Sequence, residues 1–152
     1  MSDAITLNIN GKLYALDIDP ATPLLSVLRN DCGLYSPKYG CGMEQCGACK
    51  VMVDGEAVPT CRLPVGDVVN SKIVTLEGLG TEGQLHPMQQ AFLDEQAAQC
   101  GFCTAGMIIA AVALCDQIEN PSDEDIRQAM ERHLCRCAVY DRVHRAICAF
   151  LG

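Results

Sequence analysis

Four cysteines constrain this chain more than any other feature. Cys41, Cys46 and Cys49 lie in the stretch Gly40-Cys41-Gly42-Met43-Glu44-Gln45-Cys46-Gly47-Ala48-Cys49, and Cys61 follows. The pattern C-x4-C-x2-C…C is the spacing of a 2Fe–2S ligand loop. Such a cluster needs four thiolates converging on one point. Three in one loop supply most of that convergence, and a fourth from a neighbouring strand closes it. Gly40, Gly42 and Gly47 are expected to bend the backbone through positive φ and to aim amides at the anionic sulfurs. Zinc prefers paired knuckles separated by a longer insert, which fits three close cysteines less well.

The chain has 152 residues and eleven cysteines. That number is odd, and the start, Met1-Ser2-Asp3-Ala4, is polar and reads as no secretion leader. Clustered thiols in such a chain read as metal or redox ligands rather than disulfides. The formal charge of −8 argues against nucleic acid, whose phosphates would be repelled. The longest apolar run, Met107 to Cys115, is far short of the roughly 20 residues that span a bilayer.

Residues 5–18 alternate apolar and polar positions on both sides of Asn10-Gly11, which predicts a hairpin with a type I′ turn. Thr22-Pro23 predicts a capped helix with Pro23 in its first position, its apolar face made by Leu24, Leu25, Val27 and Leu28. Val51–Val53, a turn at Asp54-Gly55, a return strand from Ala57 to Cys61, and a strand at Ile73–Leu76 complete a mixed sheet. Near Gly80 the pattern changes. Gly78, Gly80 and Gly83 are linker-like, and helical periodicity takes over after them. Four helices are expected: Pro87 to about Ala98; one capped by Thr104; one capped by Ser122 with Asp125 in a capping box; and one from Tyr140 or Asp141. Ile126, Ala129, Met130 and Leu134 should line the third, and Val143, Ile147 and Leu151 the fourth.

A second cysteine set lies in this helical half. Cys100-Gly101-Phe102-Cys103 joins the first two of these helices, and Cys135-Arg136-Cys137 joins the last two. Both pairs precede helix N-termini, whose free amides and dipole favour an anionic centre. Spacing alone leaves this set open between iron–sulfur and structural zinc. Cys115 and Cys148 read as small core residues, Cys32 begins the first loop, and His86, His133 and His144 read as helix-start, surface or packing residues rather than ligands.

Taken together, the two sets resemble the small iron–sulfur subunit of the molybdenum hydroxylase, or xanthine oxidase, family. The resemblance covers almost the whole chain. It rests on Gly40-Cys41-Gly42…Cys46-Gly47-Ala48-Cys49, on Gln99-Cys100-Gly101-Phe102-Cys103-Thr104, and on Cys135-Arg136-Cys137-Ala138-Val139-Tyr140. It implies an α+β chain: a β-grasp, plant-type ferredoxin-like domain over 1–79, then an all-α four-helix 2Fe–2S-binding domain over 80–152. It implies two 2Fe–2S clusters, one on Cys41, Cys46, Cys49 and Cys61, the other on Cys100, Cys103, Cys135 and Cys137. It also implies an electron-transfer role in an aldehyde or N-heteroaromatic oxidoreductase, with no catalytic residue in this chain. A large partner subunit would hold a molybdenum–pterin cofactor in its cytosine dinucleotide form. Gln99 and Cys137, and more remotely the backbone at Gly101, would approach that pterin. A flavin subunit or a cytochrome c-type acceptor would take the electrons. The location expected is the cytoplasm, or wherever a partner takes the chain, at the membrane or in the periplasm. Relatives often carry glycine where Glu44 and Ala138 stand, proline at Ala105 and threonine at Lys50. Gln45, within Gln-Cys-Gly-Ala-Cys, resembles the isoquinoline 1-oxidoreductase-like branch.

Overall fold

A computed structural model describes residues 4–152; the polar start over 1–3 lies outside them. Strand β1 (Ile5–Ile9) buries Ile5, Leu7 and Ile9 on one face, as the period-2 pattern requires. It pairs antiparallel with β2 (Lys12–Leu16), closing with Ile9 opposite Lys12. Asn10 and Gly11 both take positive φ, 54° and 77°, which is the type I′ turn expected.

Helix α1 (Leu24–Asn30) lies across the sheet and buries Leu24, Leu25, Val27 and Leu28. Its start differs from expectation. Pro23 is the capping residue, extended at ψ 132°, and Thr22 makes no side-chain cap. The Thr22 carbonyl instead accepts from the Val65 amide, and the Leu63 carbonyl accepts from Leu24 N–H. These bonds tie the helix start to a segment forty residues later, which local sequence does not announce.

Strands β3 (Lys50–Val53), β4 (Glu56–Pro59) and β5 (Lys72–Val74) complete the order β2-β1-β5-β3-β4. Only the β1–β5 pairing is parallel. Strand β4 stops at Pro59, so Cys61 lies just past its end rather than within it. Leu76 leaves β5 and opens a short 3-10 turn, Leu76–Gly78; another, Val65–Val68, buries Val65 and Val68 under the sheet.

The second half holds α2 (Pro87–Asp94), α3 (Thr104–Gln117), α4 (Asp123–Met130) and α5 (Tyr140–Leu151). Helix α2 ends at Asp94, short of Ala98, because Gln96 takes a left-handed φ of 51°. His86 caps it: its Nδ1 accepts from Met88 N–H, and Gln89 Oε1 accepts from His86 N–H. Ser122 and Asp125 form the expected capping box on α4. Thr104 is the first residue of α3 rather than its cap, which is Cys103. Leu134 lies beyond α4 and is exposed, so it is not part of that helix's apolar stripe.

Among the described residues two large cores form beside a small cluster of Leu25, Cys49 and Cys61, and β3 serves both large ones. Val51 joins Leu7, Ile9, Leu28 and Ile73 beneath α1, while Met52 joins Met88, Met107, Ile109, Val143 and Ile147 among the helices. Neighbouring residues on a strand point to opposite faces, so the sheet is covered on both faces at β3, while the second face of β1 stays open at Thr6.

Candidate metal centres

Three thiols of the first set, Cys41, Cys46 and Cys49, sit on the loop between α1 and β3, and Cys61 lies just past β4. Arg29 braces its approach, donating to the Tyr35 and Pro37 carbonyls at 2.9 and 2.8 Å. Lys38 N–H donates to the Ala48 carbonyl at 2.9 Å and pinches the loop shut. Inside it, backbone amides already point at sulfur. Cys41 Sγ accepts from Met43 N–H at 3.4 Å and from Gln45 N–H at 3.3 Å; Cys46 Sγ accepts from Cys41 N–H at 3.4 Å. From β4's end, Thr60 N–H donates to Cys49 Sγ at 3.3 Å, and the Thr60 hydroxyl donates to the Cys49 carbonyl at 2.7 Å. Cys49 and Cys61 are buried against Leu25, whereas Cys41 and Cys46 are partly exposed beside Tyr39 and Met43.

Electrostatics divide this quartet. Burial raises Cys41, but the amides of Met43, Gln45 and Cys46 and the Cys46 thiol outweigh it and hold it at about 7. Cys61 is pushed up to about 11, by burial first and then by the neighbouring Cys49 and Cys41 against a Glu44 amide. Four thiols crowded together cannot all ionise alone, but cations bound among them would let them. Gly42 and Gly47 take positive φ, 67° and 74°. Gly40 does not; there a Cβ would stand 2.6 Å from Cys46 Sγ, so the missing side chain makes room for the thiol.

The second set assembles as the helix order implies. Cys103 caps α3, and Cys135 and Cys137 lie in the turn before α5. Cys100 contacts Cys137, and Cys103 contacts Cys135. Cys103 is buried and pushed up to about 12, chiefly by that burial and then by Cys135. Burial also works against Cys135, yet the amides of Val139, Cys137 and Ala138 hold it below the ordinary thiol value. Tyr140 Oη accepts from Cys135 N–H at 2.7 Å and fixes the turn. Around the set, Gln99, Phe102, Leu134 and Tyr140 are exposed. Both sets fit a 2Fe–2S cluster: four thiols each, with amides already donating to sulfur.

A backbone hydrogen bond joins the two loops. Leu134 N–H donates to the Cys46 carbonyl at 3.0 Å. Leu134 precedes Cys135, so a single amide–carbonyl contact lies between a thiol-bearing residue of each set. Around it, Gly47 packs on His133 and the Arg132 carbonyl, and Gly106 of α3 packs on the Gly47 carbonyl.

A family described as a 2Fe-2S iron-sulfur cluster binding domain matches residues 7–72, and a [2Fe-2S] binding domain matches residues 75–148. The small FeS subunit of nicotinate dehydrogenase from Eubacterium barkeri is 45% identical over 143 residues, covering 94% of this chain and 91% of its own. The alpha subunit of isoquinoline 1-oxidoreductase from Brevundimonas diminuta is 40% identical over 140 residues, covering 91% of each. The crystal structure of the aldehyde oxidoreductase from Desulfovibrio desulfuricans superposes with a TM-score of 0.92 at 41% identity. That match covers 99% of this chain but 17% of that one. The chain belongs to the small iron–sulfur subunits of the molybdenum hydroxylase family.

Two departures from that family's pattern now have a geometry. Glu44 and Ala138 take left-handed φ of 62° and 56°. These are left-handed conformations that glycine adopts readily, and the resemblance drawn from the sequence leads one to expect glycine at both. Of the surface and packing roles the sequence leaves open to His133, the fold gives it packing. It is 2% exposed, neither ring nitrogen completes a hydrogen bond among the described residues, and burial, then the Lys50 charge, push it down to about 4. It fills the space that Gly47 leaves between the loops. The paired absence of a side chain at 47 and an imidazole at 133 carries no local signal.

Proposed function

We propose that this electron-transfer subunit carries electrons from a molybdenum–pterin site, held by a larger partner, through an inner centre on Cys100, Cys103, Cys135 and Cys137. From there they pass to an outer centre on Cys41, Cys46, Cys49 and Cys61. When bound, each 2Fe–2S cluster supplies a one-electron redox couple. The chain's own residues do the rest. Thiolates hold the metal, and amides from residues 41, 43, 45 and 60 stabilise negative charge on sulfur and so favour the reduced state. The Leu134–Cys46 hydrogen bond, at 3.0 Å, carries this reading, because it gives electrons a short bonded path between the two thiol sets.

Phe102, Leu134 and Tyr140 leave an exposed apolar rim around the second set. That rim suits a stable interface with a larger subunit, with Gln99 and Cys137 turned to its pterin, proposed in the cytosine dinucleotide form. Tyr39 and Met43 are exposed beside the first set, where a flavin subunit or a cytochrome c-type acceptor would dock. Among the described residues no helix is long and apolar enough to cross a membrane. The relatives' names carry nicotinate and isoquinoline, so an N-heteroaromatic ring is the proposed substrate class of the complex. The family matches over residues 7–72 and 75–148 support reading residues 1–79 and 80–152 as the two cluster-binding domains.

Metal analysis with electron paramagnetic resonance after dithionite reduction tests this function. Four irons, no zinc in the cysteine quartets and two distinct 2Fe–2S signals are expected. In the assembled complex, Cys137→Ala is expected to remove the inner signal and stop turnover. Gln99→Ala is expected to keep both signals and slow their reduction by substrate. Two irons with zinc on the second quartet would instead make the helical half a scaffold, and the conduction path would fail.

A further inference from the structure

Among the described residues, ligating side chains outside the two quartets meet at one more place. His144 and Cys148 are four residues apart on α5 and share a face. His144 Nδ1 lies 3.7 Å from Cys148 Sγ. The other ring nitrogen, Nε2, lies 3.3 Å from Asp123 Oδ1, in the first turn of α4. That nitrogen is buried, and despite the short separation its contact with the carboxylate is not aligned as a hydrogen bond. One ligand atom from each residue lies within 4.8 Å of the others.

The sulfur–nitrogen separation suits a shared cation, with the carboxylate in reach. Zinc holds sulfur at about 2.3 Å and imidazole nitrogen at about 2.0–2.1 Å, so tetrahedral geometry sets the two donors about 3.6 Å apart. The thiol and Nδ1 are already at 3.7 Å. The Asp123 side chain is 67% exposed, so its carboxylate is free to turn onto the same ion. A thiolate and a carboxylate would balance the two positive charges, which lets a half-buried site hold the ion without a net charge. One thiol is too few for a 2Fe–2S cluster, whereas zinc accepts mixed sulfur, nitrogen and oxygen donors.

We propose that Asp123, His144 and Cys148 bind a zinc ion, His144 through Nδ1, with water completing the coordination. Binding would release the Cys148 thiol proton. Cys148, read from sequence as core packing, then becomes a ligand. The consequence lies in the connectivity. Helices α4 and α5 are the two arms of the hairpin whose turn carries Cys135 and Cys137. An ion joining the first turn of α4 to the second and third turns of α5 would brace the hairpin away from those thiols.

The test uses the full chain loaded with its iron, treated with a chelator, given one equivalent of zinc and desalted. One retained zinc beside an unchanged iron content is expected. Absorption at the zinc edge should show one sulfur among nitrogen and oxygen neighbours. Cys148→Ala, and the surface change Asp123→Asn, should each weaken zinc binding at least about tenfold, with iron unchanged. The proposal is overturned if no zinc is retained or if either variant retains zinc as the wild type does. It is also overturned if the zinc shell contains four sulfurs, which would place the ion in a quartet that had lost iron. The iron count reports separately on the electron-transfer reading.

Discussion

Glu77 belongs to neither thiol set, yet it holds the approach to the first. Its carboxylate accepts from the Ser36 amide at 2.9 Å, from the Ser36 hydroxyl, and from the Thr75 hydroxyl at 2.6 Å. Burial works against its charge, but the Ser36 and Thr75 hydroxyls and the Ser36 amide outweigh it, so the carboxyl stays below its usual range. A carboxyl depressed on folding contributes stability that is present above its unfolded value, about 4.3. That stability is lost as pH falls through the lower folded value. Glu77→Gln is therefore expected to cost about 1–2 kcal/mol at pH 7. Urea unfolding should show the gap between variant and wild type closing below about pH 4.5. Acid loss of metal affects both proteins and cancels in that difference; a gap that persists unchanged at low pH would exclude the latch. At this scale the sequence was legible wherever chemistry is local. Cys41, Cys46 and Cys49 are close in the chain, as are Cys100 with Cys103 and Cys135 with Cys137, so each of these motifs could be read. Glu77 and Ser36 are 41 residues apart, and His133 is buried only because Gly47 gives it room. Neither is visible without the fold.

Helix α3 was readable because it is apolar nearly all round, with every residue from Ala105 to Ala113 buried. Why it contains glycine was not readable. A Cβ on Gly106 would run into the Gly47 carbonyl oxygen and crowd Ala48. The helix lies directly against the first thiol loop, between Cys46 and Cys49. Alanine is the better helix former by about 1 kcal/mol, but here the overlap is with backbone that cannot swing away. Gly106→Ala is expected to destabilise the chain by about 1–3 kcal/mol. It should broaden or shift the outer centre's paramagnetic signal more than the inner one's. A variant of unchanged stability with both signals intact would show that the approach of α3 is loose. The same logic explains the helix boundaries. Ser122 and Asp125, only three apart, announced their cap, whereas α1 takes its start from Thr60, Leu63 and Val65, which only the folded sheet brings near.

Across the whole molecule, the change from strand to helix pattern near Gly80 suggests two independent halves, but the packing argues for one cooperative unit. Strand β3 is buried on both faces: Val51 belongs to the core under α1 and Met52 to the helical core. The Leu134–Cys46 bond and the buried His133 tie the two thiol loops together at the same seam. The central pairing of Met52 with Val74, and of Val53 with Ile73, means that displacing β3 would also disturb β5 and, through it, β1. Met52→Ala removes a buried side chain from the helical core and is expected to cost about 2–4 kcal/mol. If the halves unfold together, that loss should lower amide hydrogen-exchange protection equally in β1, β5 and α5. If they unfold separately, α3 and α5 should lose protection while β1 keeps it. Equal loss is expected, because β3 contributes to both cores and is hydrogen-bonded through β5 to β1.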